Sequence, residues 1–305
     1  MARSPLRPLR QRAEVVLLQL LGAVARALPF DAASALGAGL GRLAFVLVRR
    51  RRHIAIENIR RALGDPVSGV PALEIARRAF TQIGRTFVEF LALPALGRER
   101  LLARVTLEGF EPVLERGAHG QGIVFVTGHY GNWELFGAAL RQRGVPLEYL
   151  LPPQSNPGSD AYFDAVRRRL GIEPVKVGFG MRNALRALQK GHAVGLLADQ
   201  DARRIGIHVA FFGRPASTLT GPARLALRSG CPIGVAFVER AGGGRFRGRL
   251  VALLTARAGA NEEEEVLRLT REIAALTEDA VRRHPDHWYW LHRRWKTPPP
   301  AEAKP

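Results

Sequence analysis

From about Val105 the sequence alternates short apolar runs with segments of helical periodicity, and this alternation narrows the fold more than any other feature. Strands are expected at 122–127, 147–151, 173–177, 193–198, 207–212, 232–238 and 247–254, each a brief apolar run bounded by turn formers. Helices are expected at 132–143, 159–170, 180–190, 219–229 and 262–283. The last opens with Asn261 and then Glu262 to Glu265, a cap followed by acids that suit the positive end of the helix dipole. Interleaved in this way, the segments predict an α/β fold, with a mainly parallel or mixed central sheet flanked by helices. No internal repeat is visible.

The preceding part, residues 1–104, is helical in style. Ile75, Ala79, Phe80, Ile83, Phe87, Phe90 and Leu91 recur at three- and four-residue intervals within 71–96. Nearer the N-terminus, Val15 to Ala25, Ala32 to Gly41 and Leu43 to Val48 carry no charge. Arg26, Asp31 and Arg42 interrupt them, so no stretch reaches the roughly 18 uncharged residues of a clean membrane span. No convincing signal-peptide cleavage site follows the first run. Four arginines lie within the first twelve residues, and Arg49 to Arg52 form a second block. Apolar helices flanked by arginines fit a membrane-associating segment at an anionic interface; a helical hairpin packed on the body fits equally. The expected organisation is therefore 1–104 helical and membrane-associating, 105–296 α/β, and 297–305 a proline-rich disordered tail.

With 46 Lys and Arg against 27 Asp and Glu, the net charge of +19 calls for an anionic partner: nucleic acid, acidic protein, phosphorylated substrate or anionic lipid. Cys231 is the one cysteine, which excludes an internal disulfide framework; its apolar surroundings read as core.

The chemistry concentrates in Gly128-His129-Tyr130-Gly131-Asn132-Trp133-Glu134, between the strand Ile123 to Val126 and the helix beginning at Leu135. Asn132 suits a helix cap and places Glu134 in the first turn. His129 then stands at the mouth of a strand, and Glu134 is expected to accept a hydrogen bond from its ring. That is a base and its orienting acid without a protein nucleophile, which suits a reaction whose nucleophile is a substrate hydroxyl. Backbone N–H groups around Gly131 and Asn132 are candidate oxyanion donors.

Four further segments stand out. Asp199-Gln200-Asp201 closes an apolar strand, at the carboxyl end where α/β sheets place their sites; two carboxylates alone are weak grounds for a metal. Phe211 and Phe212 could line an apolar channel or pack in the core. One of Arg167, Arg168 and Arg169 could clamp a phosphate bidentately. Trp288 to Lys296 mixes tryptophans and tyrosine with bases, and its Arg293 and Arg294 suit an anionic headgroup. Phosphate-loop, H-E-x-x-H, paired C-x-x-C and G-x-S-x-G patterns are absent, and Gly37-Ala38-Gly39-Leu40-Gly41 has the wrong spacing for a dinucleotide fingerprint.

Together these segments resemble the late acyltransferases of lipid A biosynthesis in Gram-negative bacteria, within the wider H-x4-D/E glycerolipid acyltransferases. The likeness runs from about Arg50 to Pro298. It rests on the heptapeptide at Gly128, on Asp199-Gln200-Asp201, on Phe211-Phe212-Gly213 with Thr218, and on His284 to Lys296. The resemblance implies transfer of an acyl chain, carried on acyl carrier protein or CoA, to a hydroxyl of a lipid A precursor at the cytoplasmic face of the inner membrane. His129 would be the base and Glu134 its partner, with Asp199 organising the site from behind. Arg167, four residues before Gly171, best matches the family's functional arginine. No metal or cofactor beyond the acyl donor is implied. A related enzyme acting on another glycolipid or lysophospholipid is the alternative. A basic module binding nucleic acid accounts for the charge but gives no reason for His129 and Glu134, so nucleic acid is not an expected partner.

Overall fold

The computed structural model describes residues 7–176 and 180–300. Arg3 of the first arginine block, residue 177 of an expected strand and residues 301–305 of the expected tail lie outside the described residues. The first four helices are α1 (Arg7–Ala27), α2 (Phe30–Leu47), α3 (Arg49–Leu63) and α4 (Ala72–Leu96). They are followed by α5 (Arg98–Arg104), β1 (Val105–Glu108), α6 (Glu111–Ala118), β2 (Ile123–Thr127), α7 (Trp133–Gln142) and β3 (Leu147–Leu151). Next come α8 (Pro157–Arg169), β4 (Glu173–Lys176), α9 (Gly180–Gln189) and β5 (Ala193–Leu197). The chain continues through β6 (Ile207–Phe211), β7 (Arg214–Thr218), α10 (Gly221–Ser229), β8 (Ile233–Gly242), β9 (Arg245–Leu254) and α11 (Glu262–Arg283).

Seven strands form one sheet in the order β1-β9-β8-β2-β5-β3-β4. Strands β8, β2, β5, β3 and β4 run parallel; β9 is antiparallel to β8 and carries β1 along its outer edge. The α/β expectation holds, and the sheet is mixed. Both faces are covered. Along β2, Val124 and Val126 pack into one core with α9, α10 and α11, while Ile123 and Phe125 pack into a second with α4, α6 and α7. A strand buried on both faces has no solvent side, which is why β2 reads as an unbroken apolar run.

Two strands escaped the sequence reading. Only four residues long, β1 includes Thr106 and Glu108. The other, β7, reads Arg-Pro-Ala-Ser-Thr and pairs only with β6, where an edge proline is tolerated. The loop joining these two strands is Phe212-Gly213, with φ of 52° and 68°. Both residues in the left-handed region make a two-residue hairpin turn whose twist matches its strands.

The N-terminal helices share both cores with the sheet: Phe45, Ile59 and Ile75 lie in one, Phe30 and Val88 in the other. The glycine-rich run that is wrong for a dinucleotide is instead a helix-packing seam. A Cβ at Gly37 would meet the Gly84 carbonyl oxygen at 2.4 Å, one at Gly41 the Phe80 carbonyl oxygen at 2.3 Å, and one at Gly84 the Gly37 carbonyl oxygen at 2.2 Å. Backbone cannot give way as a flexible side chain can, so Gly84→Val should lower stability by at least the ~1–3 kcal/mol of ordinary overpacking. A thermal midpoint within a degree or two of the parent would contradict this seam.

With 18 residues, α2 is long and apolar enough to cross a membrane, although 39% of it is buried against the body. Val16, Leu17, Leu20 and Val24 of α1 and Leu43, Val46 and Leu47 of α2 are exposed.

Candidate active site

The motif loop between β2 and α7 is fixed from three sides. Asn132 caps α7 as expected, its Oδ1 accepting from the Leu135 N–H at 2.9 Å. Its Nδ2 donates to Glu89 of α4 at 2.6 Å. Glu89 is fully buried and also accepts from Ser34 of α2 at 2.6 Å and from both terminal nitrogens of Arg240 at 2.6 and 2.7 Å. Thr86 donates to the Gly131 carbonyl oxygen at 2.8 Å. From the far side the C-terminal block grips the same loop: the Gly131 N–H donates to the His287 carbonyl oxygen and the Tyr289 N–H to the His129 carbonyl oxygen. Glu89 and Arg240 escaped the sequence reading. A lone acid in the run Phe87-Val88-Glu89-Phe90-Leu91 is the signal that points to the first. The Gly131 N–H, already given to His287, is no longer a candidate oxyanion donor.

Asp199, not Glu134, orients His129. Its Oδ1 lies 2.8 Å from His129 Nδ1, while its Oδ2 accepts from the His129 N–H at 2.7 Å and from Trp288 Nε1 at 2.8 Å. Asp199 is buried, and burial works against its charge; the His129 ring and the Trp288 and His129 N–H donors nevertheless hold its carboxyl below the usual aspartate range. The approach is close: a Cβ on Gly128 would stand 3.1 Å from Asp199 Oδ2. Trp133 and Tyr289 wall the ring, with centroid separations of 5.1 and 5.8 Å. Bonded through Nδ1, the imidazole keeps Nε2 for a substrate, and 22% of the side chain remains exposed.

Glu134 turns away into the interface between α7 and α8. It is buried against Arg167, whose terminal nitrogen and Nε both donate to its carboxylate. Asp164 approaches Arg167 at 3.5 Å from the other side, and Lys176 bridges Asp164 and Asp160. Burial alone disfavours the Arg167 charge, but Glu134 and Asp164 more than compensate and raise its pKa. Enclosed between two acids and over the Phe90 ring at 5.3 Å, Arg167 is a structural pin, which removes the expectation of a phosphate clamp. Arg168 and Arg169 lie on the exposed side of α8.

Two other expectations are corrected. Phe211 and Phe212 are buried against Trp288, Trp295 and Trp290, so they pack in the core. Arg294 is 1% exposed and donates to the Ser217 carbonyl oxygen and the Thr218 hydroxyl, so it holds β7 rather than a headgroup; burial lowers its pKa to about 10. Arg293 is exposed and stays available to an anion. Asp201 accepts from the Thr297 hydroxyl at 2.9 Å, which also ties down the first residue of the expected tail.

The apolar channel lies elsewhere. A narrow apolar cleft with only about 20 Å³ of free volume runs between α7 and the sheet, with Thr127, Trp133, Glu134, Leu151 and Leu197 at the carboxyl ends of the strands and Phe125, Leu140 and Leu147 deeper. Its mouth is thus formed by residues flanking His129. From Trp133 to Leu140 the helix advances about 10 Å. Tyr149 crosses the middle between Gly137 and Gly195, where a Cβ would stand 1.6 Å from its hydroxyl or 2.8 Å from its ring.

A buried acid holding a histidine beside an apolar cleft, at the carboxyl ends of parallel strands, is a general-base arrangement next to an apolar pocket. The sequence matches the bacterial lipid A biosynthesis acyltransferases over residues 4–297, and the chain belongs to that family. It is similar to the lipid A biosynthesis lauroyltransferase of Escherichia coli, 27% identical over 277 residues that cover 89% of this chain and 88% of that protein. The Escherichia coli palmitoleoyltransferase is 26% identical, covering 90% and 89%. A phosphatidylinositol mannoside acyltransferase of Mycobacterium tuberculosis is also 26% identical, covering 78% and 75%.

Proposed function

We propose that this acyltransferase moves a fatty acyl chain from a thioester, on acyl carrier protein or CoA, to a hydroxyl of a lipid A precursor. The observation that carries the reading is His129, held through Nδ1 by buried Asp199 and packed against Trp133, which lines an apolar slot. The acyl chain enters the slot with its carbonyl near Thr127 and Trp133, and Tyr149, which fills the middle, must turn aside to admit it. His129 Nε2 takes the proton of the acceptor hydroxyl as its oxygen adds to the carbonyl carbon, and Asp199 stabilises the imidazolium. On collapse the C–S bond breaks and the proton passes to the leaving thiolate. Glu134 and Arg167 shape the mouth rather than move protons.

The exposed apolar rows of α1 and α2 would rest on the cytoplasmic face of the inner membrane, with the surplus arginines toward anionic headgroups and the acidic carrier protein. Interfacial seating fits better than a span because Gly37 and Gly41 clamp α2 along α4, itself bonded to the motif loop. Leu17→Glu with Leu20→Glu should therefore reduce sedimentation with anionic vesicles without unfolding the body; unchanged binding would place the membrane surface elsewhere.

The test of the reaction is acyl transfer from a panel of thioesters to a purified lipid A precursor and, in parallel, a phosphatidylinositol mannoside, followed by mass spectrometry. One added acyl group on the first, lost by about 10²- to 10⁴-fold in His129→Ala, is the expected result. Addition only to the mannoside selects the second acceptor class, which the mycobacterial relative favours. Leu140→Trp, filling the deep end of the slot, should shift the preferred donor to a shorter chain. No product with any donor, from folded protein, would overturn the reading.

A further inference from the structure

Two polar groups near His129 have no role in the dyad, one on a residue that lines the slot and one beside the ring. The Thr127 hydroxyl is sealed from water and has no hydrogen-bond partner among the described residues, although Thr127 lines the cavity. Buried hydroxyls are nearly always paired, so an orphan on a residue that lines the slot marks a position for a polar substrate atom. The second group is Gln200, whose amide nitrogen lies 3.3 Å from His129 Nε2 and 3.4 Å from Nδ1. The two ring nitrogens point in diverging directions within the ring plane. An amide nitrogen equidistant from both therefore rests against the ring face and leaves the Nε2 lone pair to the acceptor hydroxyl. Its N–H groups lie beside the ring, on the side from which the carbonyl attacked by that hydroxyl would approach. Strand pairing puts Thr127 opposite Leu197, and Gln200 follows three residues past the end of β5, on the loop that carries Asp199.

We propose that the Thr127 hydroxyl and the Gln200 carboxamide donate hydrogen bonds to the thioester carbonyl oxygen. The inference rests on the reading of His129 as base. As the acceptor oxygen bonds to the carbonyl carbon and gives its proton to His129, the carbonyl π pair moves onto that oxygen. Both donors then face a full negative charge. The pair returns as the C–S bond breaks, and the thiolate leaves with the proton from His129. Donors that strengthen only as charge develops raise turnover rather than substrate affinity.

The test compares wild type with Thr127→Val, Gln200→Met and His129→Ala, using dodecanoyl and hexadecanoyl thioesters of acyl carrier protein and CoA with the acceptor that wild type acylates. Valine keeps the shape of threonine and removes an unpaired buried hydroxyl, so the Thr127→Val unfolding midpoint should hold or rise. Loss of one such donor should lower kcat by about 10²- to 10³-fold while KM for the thioester stays within about threefold. The limbs of the pH profile should stay in place, because neither group sets the His129 proton. A kcat within about threefold of wild type in both variants overturns the inference. So does a loss of activity that follows a fall in the unfolding midpoint, or a displaced pH limb, which would make Gln200 a tuner of His129. Wild-type turnover by His129→Ala overturns the parent reading, and this inference with it. Near-normal Thr127→Val beside inactive His129→Ala removes only the Thr127 donor.

Discussion

Asp199→Asn lowers kcat by about 10³- to 10⁴-fold with the protein still folded, the scale seen when the acid behind a catalytic histidine becomes an amide. Asp199 Oδ1 receives the Nδ1–H of His129, which leaves Nε2 as the proton acceptor. An asparagine amide in that place donates to Nδ1 and moves the ring proton to Nε2, where it blocks the acceptor hydroxyl. The imidazolium formed in the reaction also loses its counter-charge. Steady-state kinetics on Asp199→Asn and Glu134→Gln side by side separate the two acids. Because Asp199 is the one of these two acids that touches the ring, a loss under tenfold in Asp199→Asn, or the larger loss in Glu134→Gln, would return the orienting role to Glu134. The pH sense follows from the depressed carboxyl. Its stabilisation is present above the unfolded-state pKa and is lost as pH falls through the folded one. Wild type should therefore lose more stability than Asp199→Asn on acidification below the ordinary aspartate range.

Arg167→Met is the largest expected loss of stability. It strands the Glu134 carboxylate in a site only 6% exposed, and removing one partner of a buried ion pair costs about 3–5 kcal/mol. Adding Glu134→Gln should restore a large part of that, since a neutral amide no longer needs the cation. Urea unfolding of both single variants and the double variant reads the coupling directly. Additive losses would mean that the pair contributes nothing as a pair. Asp164 keeps Lys176 in every variant, so the cycle isolates Glu134.

Much of the fold was open to local reading because it depends on periods of two and 3.6 residues. The caps Asn132 and Asn261, the apolar strands β2 and β5 and the amphipathic α4 all follow from neighbours in sequence. The heptapeptide at Gly128 marked the site for the same reason: a histidine at a strand end beside a helix cap is a local pattern. Strands β1 and β7 lacked that pattern, since one is short and polar and the other carries Pro215.

What the residues alone determined was the inventory: a base, three nearby acids, a cluster of arginines and an α/β scaffold to hold them. Which acid serves which base was decided by the tertiary structure. His129 and Glu134 are five residues apart, but α7 begins between them and carries Glu134 toward α8, where Arg167 waits 33 residues on. His129 finds Asp199 across 70 residues because β2 and β5 are parallel neighbours with Thr127 opposite Leu197, so two further steps along each chain bring them together. A charge settles with the partner that strand register and helix direction place within about 3 Å in the dry interior, where pairing matters most. Distance along the sequence carries no information about that choice.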